Sequence, residues 1–321
     1  MDQAATLTPE RLLRQLEWRV VRRLDGRLQG DYRSLFRGSG LDFTNLREYE
    51  PGDDLRHIEW NVTARMDTPY VREYVEDREV TAWLLLDHSA SMGFGPVDRQ
   101  KDLVLAEVAT TLALVLTRRG NRIGMVLFDQ DVERVLPARS GRDQVLQIAD
   151  MLLDRRHTRA AATEPPAAVS RRGRRARAAQ GQGRHVTDLG AMLNRSAGMI
   201  RRRSLVVVVS DFISEPGWEQ ALARLARRHE VVALQVTDPR EDELPDVGSM
   251  YVEDTETGEQ IFVDTSDGGF RARLKRAADE RRAAIEEATR SAGVDLHQIR
   301  TDEDLVRSLL RISALRRSRR R

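Results

Sequence analysis

Cysteine is absent from all 321 residues, which removes disulfides, thiolate zinc sites and cysteine nucleophiles in one step. Lysine is almost absent too: of 53 basic residues only Lys101 and Lys275 are lysine. An arginine excess can serve anion recognition, because guanidinium forks match carboxylate and phosphate; a codon bias produces the same skew. No apolar run approaches the ~18 residues that span a bilayer, Leu112 to Leu116 and Leu205 to Val209 being among the longest. The N-terminus lacks the basic-then-apolar order of a signal peptide, since Asp2 and Gln3 come first and Glu10, Arg11 and Arg14 interrupt the apolar residues. The expected location is the cytoplasm.

Several chemistries are missing as well. There is no Gly-x-x-x-x-Gly-Lys-Ser/Thr loop, and Lys101 and Lys275 fall in helical patterns, so nucleotide hydrolysis by the P-loop route is excluded. A phosphatase of the Asp-x-Asp type needs a second carboxylate where Ser89 stands. The six histidines are scattered without metal-ligand spacing. His88 adjoins the most informative stretch, but alternation along an extended segment points it away from Asp87 and Ser89. With no nucleophile and base in view, the chain is expected not to be an enzyme.

What is present centres on Leu84-Leu85-Leu86-Asp87-His88-Ser89-Ala90-Ser91-Met92-Gly93. An apolar run stopped by polar residues reads as a buried parallel strand ending at the carboxyl edge of a sheet, where open α/β sheets place their ligands. Asp87, Ser89 and Ser91 offer oxygen ligands suited to a hard divalent cation, Mg2+ first and Mn2+ or Ca2+ after it. Thr187 opens a loop that enters a helix. Asp211 ends a second strand-like run, Leu205 to Ser210.

Asp-x-Ser-x-Ser, a later Thr and a strand ending in Asp together resemble the metal-ion-dependent adhesion site of von Willebrand factor A-like domains. The resemblance implies Asp87, Ser89, Ser91, Thr187 and Asp211 as metal ligands. Ser and Asp after a strand also serve as turn and helix-cap residues, and it is the ordered set that favours the metal.

Residues 1–28 contain an amphipathic helix over 8–27, with Thr8 as cap, Pro9 in its first turn and Leu12, Leu13, Leu16, Val20 and Leu24 on one face. That face is expected to pack on the body of the protein. Residues 29–80 alternate acids and arginines with isolated aromatics, and predict a small irregular or β layer held by ion pairs, extended from Tyr70 to Glu76. The strings Arg37-Gly38-Ser39-Gly40-Leu41-Asp42-Phe43, Arg47-Glu48-Tyr49, Pro51-Gly52-Asp53-Asp54 and Trp60-Asn61-Val62-Thr63-Ala64-Arg65 resemble the family catalogued as domain of unknown function fifty-eight. That resemblance implies a bacterial protein acting with a MoxR-type AAA+ ATPase, as partner, client or adaptor.

Residues 81–315 are expected to form the von Willebrand factor A-like, Rossmann-like domain: a doubly wound, mostly parallel sheet with helices on both faces. Its elements are predicted as a strand at Leu84, helix 98–119, strand 122–128, edge strand 132–136 and helix 141–154. Helix 188–201, strand 204–210, helix 216–228 and strand 230–236 follow. A hairpin (250–253 with 260–263), helix 269–292, strand 295–299 and helix 302–315 close the domain. Residues 155–185 read as a flexible arginine-rich insertion; without interleaved aromatics, no specific nucleic-acid binding is expected of it. Residues 316–321 read as a basic tail, solvated or in peripheral contact with anionic lipid. Two other functional classes stay open: a magnesium-dependent hydrolase using the same ion, and a basic nucleic-acid- or membrane-contacting protein with a vestigial metal site.

Overall fold

The computed structural model describes residues 8–17, 45–53, 55, 58–66, 68–73, 80–95, 99–118, 120–129, 131–163, 187–253 and 260–318. Six strands form the central sheet: β3 (Thr81–Asp87), β4 (Arg122–Phe128), β5 (Val132–Arg139), β6 (Leu205–Ser210), β7 (Glu230–Thr237) and β10 (Asp295–Arg300). They lie in the order β10-β7-β6-β3-β4-β5. All pairings are parallel except β4 with β5, the one tight hairpin in the sheet. The two central strands therefore neighbour each other across a change of winding direction, the topological switch point at which a doubly wound sheet opens a crevice.

Alternation along each strand divides the core in two. Leu84 and Leu86 of β3, with Val207 and Val209 of β6, face α1 (Pro9–Leu16), α3 (Lys101–Thr117), α4 (Arg142–Thr163) and α9 (Leu305–Ser318). Leu85, Val206 and Val208 face the opposite layer of α5 (Leu189–Met199), α6 (Trp218–Arg228) and α8 (Gly268–Ser291). A strand buried on both faces needs an unbroken apolar run, and Leu205 to Val209 supplies one. Helix α3 is apolar round most of its circumference because α1 and α4 cover the side turned from the sheet. Helix α1 starts at Thr8, whose Oγ1 accepts from the Arg11 N–H at 3.3 Å, and buries Leu12, Leu13 and Leu16 in this layer. The expectation that its face packs on the body holds for those three; Val20 and Leu24 lie outside the described residues.

The small irregular or β region expected before the domain is present in its described part, and two sequence-based boundaries are corrected. The described part of 29–80 is ordered as a two-stranded antiparallel sheet, β1 (Asn45–Glu48) with β2 (Tyr70–Glu73), and a short helix α2 (Trp60–Met66). Its expected ion pairing is represented by Arg47, which grips Asp53 with two nitrogens at 2.7 and 2.6 Å. Next, helix α4 runs on to Thr163, so the first nine residues of the supposed insertion are helical. Arg156 meets Asp102 at 3.1 Å and Arg155 pairs with Glu133, anchoring the extension to α3 and β5. The rest of 155–185, from residue 164 on, lies outside the described residues. Finally, helix α9 continues through Ser318, into the segment read as a tail. The predicted hairpin is present as β8 (Ser249–Glu253) and β9 (Gln260–Asp264), separate from the main sheet and carrying an exposed aromatic pair, Tyr251 and Phe262, with centroids 5.2 Å apart. Among the described residues no helix is long and apolar enough to cross a membrane.

Candidate metal centre

Strand β3 delivers Asp87 to the carboxyl edge of the sheet as its last residue, and one turn of 3-10 helix, Ala90–Gly93, follows at once. That turn folds the chain back over the strand end. The Ser89 N–H donates to Asp87 Oδ1 at 2.9 Å, and the Ser89 and Ser91 hydroxyls come within 3.0 Å of each other. The neighbouring strand β6 is in register, Leu86 opposite Val209. Ser210 therefore lies beside Asp87, and its hydroxyl donates to Asp87 Oδ2 at 2.6 Å while accepting the Phe212 N–H at 2.8 Å. Asp211 is one residue further out. Phe212, at φ 61°, is the single described residue other than glycine with a left-handed backbone. It turns the chain sharply after Asp211 and buries its ring against Trp218, centroids 5.2 Å apart.

Thr187 reaches the same edge from the other side. Its carbonyl accepts the Ser214 hydroxyl at 2.7 Å and the Glu215 N–H at 3.0 Å, hitching the loop before α5 to the loop after β6. Asp188 caps α5, accepting the Ala191 N–H at 2.8 Å. All five residues singled out in the sequence are buried at this edge, Asp87 at 1%, Ser89 at 0%, Ser91 at 4%, Thr187 at 2% and Asp211 at 2% exposure. His88 is buried as well, with its backbone N–H donated to Phe128 at 2.6 Å.

Three further residues belong to the cluster, and sequence reasoning missed them. Lys101, the first residue of α3, is wholly buried and places Nζ 2.7 Å from Asp211 Oδ2, with Glu241 of the short helix α7 (Pro239–Asp242) as its second acceptor. Ser210 is the third. One of only two lysines in an arginine-dominated chain, set one helix start beyond the Asp-x-Ser-x-Ser strand, was the available signal for Lys101. No comparable signal marks Glu241, which folding alone brings in.

The electrostatics follow from burial. Desolvation, then the charge of Asp211, pushes the Asp87 carboxyl up to about 7, against the lowering effect of the Ser210 and Ser89 hydrogen bonds. Burial also raises Glu241, and for Lys101 the two acids outweigh the opposing effect of desolvation and hold the ammonium above its ordinary value. With Asp87, Asp211 and Glu241 ionised, one ammonium would leave two negative charges at this largely buried edge, a balance that one divalent cation closes.

The donor set fits such an ion. Adjacent ligands of an octahedron with ~2.1 Å bonds stand about 3 Å apart, the separation of the Ser89 and Ser91 hydroxyls. Among the described residues no group of three or more His, Asp or Glu side chains is placed to hold a metal, so an ion here depends on hydroxyls. A cavity of about 440 Å³ opens between α8, β10 and α9, and none of the five candidates lines it.

The sheet order, its single antiparallel edge hairpin and the polar cluster at the switch point define a doubly wound, mostly parallel α/β protein. The chain belongs to the family described as protein of unknown function DUF58, whose model matches residues 45–284. Uncharacterized protein Rv1480 of Mycobacterium tuberculosis is 35% identical over 307 residues, covering 95% of this chain and 89% of its own. Among solved structures, the conserved hypothetical protein BatB of Bacteroides thetaiotaomicron is 16% identical at a TM-score of 0.41, covering 74% of this chain and 99% of its own. Manganese-loaded TRAP protein of Plasmodium vivax is 16% identical at 0.29, covering 49% and 57%.

Proposed function

We propose that the protein is a non-enzymatic interaction protein of the cytoplasm that binds a divalent cation, Mg2+ or in its place Mn2+ or Ca2+, at the carboxyl edge of its sheet. Ser89, Ser91 and Thr187 would supply hydroxyls and Asp87 and Asp211 carboxylates, directly or through water. The observation that carries this reading is the desolvated Asp87 and Asp211 pair beside two hydroxyls spaced 3.0 Å apart. A hard cation bound here acts as a Lewis acid with a position open to an anionic oxygen. This chain's residues do the rest: the Ser89 N–H and the Ser210 hydroxyl orient the Asp87 carboxylate, and the apolar strands beneath exclude water. The occupant of the open position would be a Glu or Asp of a partner protein, and the resemblance noted in the sequence makes a MoxR-type AAA+ ATPase or its client the first partner to test.

Calorimetric titration of the full chain with MgCl2 or MnCl2 is expected to give one site, lost in Asp87→Ala while the melting transition persists. Capture of the ATPase should require the ion and fail with chelator. Binding that Asp87→Ala leaves unchanged would overturn the reading. The alternative of a magnesium-dependent hydrolase draws on one observation, an Asp87 carboxyl raised to about 7 and so able to exchange a proton near neutrality. Turnover of a phosphate ester that disappears in Asp87→Ala would favour it.

A further inference from the structure

The two acids at the centre are not equivalent. Asp87 accepts from neutral donors, the Ser89 N–H and the Ser210 hydroxyl. Asp211 has both oxygens engaged, Oδ1 by the Ile213 N–H at 2.9 Å and Oδ2 by the Lys101 ammonium at 2.7 Å. The ammonium is fixed from behind. Glu241, its second acceptor, is itself pinned because its Oε2 accepts the Asp238 N–H at 3.1 Å in a reciprocal helix cap. Lys101 also opens the first turn of α3, where the peptide dipoles disfavour a cation, so its position rests on the two acids. Nothing about packing requires an ammonium there; a methionine of similar length would fill the same buried space.

Resting on the metal reading above, we propose that Lys101 is a built-in counter-cation that keeps Asp211 out of direct contact with the bound metal. A metal sharing Oδ2 with the ammonium would stand within about 4 Å of another positive charge in a desolvated site, where repulsion is strong. Asp211 therefore reaches the ion through water, and among the described residues Asp87 is the only carboxylate in its inner sphere. The ion keeps a net positive charge toward the open position. Affinity for the metal is given up, and attraction for an anionic oxygen is gained. Lys101 is a positioning residue: it acts through Asp211.

The test is the double variant Lys101→Met/Glu241→Gln, which removes one charge of each sign and leaves the net charge of the cluster as it was. Mn2+ alone is the probe, read by calorimetry and by the proton relaxation of water on the bound ion. The double variant is expected to bind Mn2+ about tenfold or more tighter, the range over which outer partners tune metal sites. The bound ion should also lose one coordinated water as Asp211 enters. Unchanged or weaker affinity with unchanged hydration would overturn the proposal. If the wild type binds Mn2+ through Asp87 and the double variant merely matches it, the role of Lys101 falls and the metal reading stands. If neither chain takes up Mn2+ or Mg2+, both fall. Should the double variant not fold, Glu241→Gln alone, altered at a partly exposed side chain, leaves Asp211 as the ammonium's sole acidic partner among the described residues. Its Mn2+ affinity is expected to drop severalfold, and equal affinity would count against the proposal.

Discussion

Asp87 is a carboxyl raised to about 7 by burial and by Asp211, and the sign of its effect on stability follows. Below the unfolded value near 4 both states hold the proton, so there is no penalty; between there and 7 the folded state holds a proton that the unfolded chain has released, so stability falls as pH rises. Without metal, the melting temperature should decline from about pH 4 to about pH 7 and level off above that, and Mg2+ should stabilise more at the upper end, where it meets an ionised carboxylate. Asp87→Asn should flatten the slope; a slope unchanged in that variant would show that another group carries it. Asp87, Ser89, Ser91 and Asp211 were legible because each stops or follows an apolar strand, a purely local signal. Ser210 and Glu241 were not, because what qualifies them is register between strands and a contact from α7, which sequence spacing does not encode. Lys101 was visible and set aside: helical periodicity says where a residue sits along the chain but not that its turn is buried against two acids.

Strands and helices were more readable than single side chains, since burial on both faces imposes continuous apolar runs on β3, β4 and β6. The misplaced end of α4 has a physical cause. Residues 155–163 lack an apolar period, yet they are rich in arginine and alanine, good helix formers, and Arg155 and Arg156 find acids on β5 and α3. Between neighbouring strands one fit is tight: Gly124 of β4 stands opposite Trp83 of β3, and a methyl group there would come within 2.8 Å of the indole ring. Gly124→Ala should therefore lower stability by ~1–3 kcal/mol through overpacking, read as a shift in the urea midpoint at constant slope. Trp83→Leu in the same chain should recover part of the loss.

For the molecule as a whole, α1 closes the layer over α3 and α4. Leu13 is fully buried there, so Leu13→Ala should cost ~2–5 kcal/mol, while Mn2+ affinity measured below the transition stays close to wild type, since α1 contributes no residue to the metal cluster. Loss of metal binding in a folded Leu13→Ala chain would mean that the two are coupled. Arg99 ties the same layer to the far end of the chain, donating to the Thr301 carbonyl at 3.0 Å and to Glu107 at 2.6 Å. With so few primary amines, the sealing of Lys101 also gives the protein an internal reporter. Lys275 is half exposed and pairs with Glu243 at the surface, so an acylating reagent should mark it in every molecule, whereas acylation at position 101 would score only the moments when the ion pair with Asp211 opens.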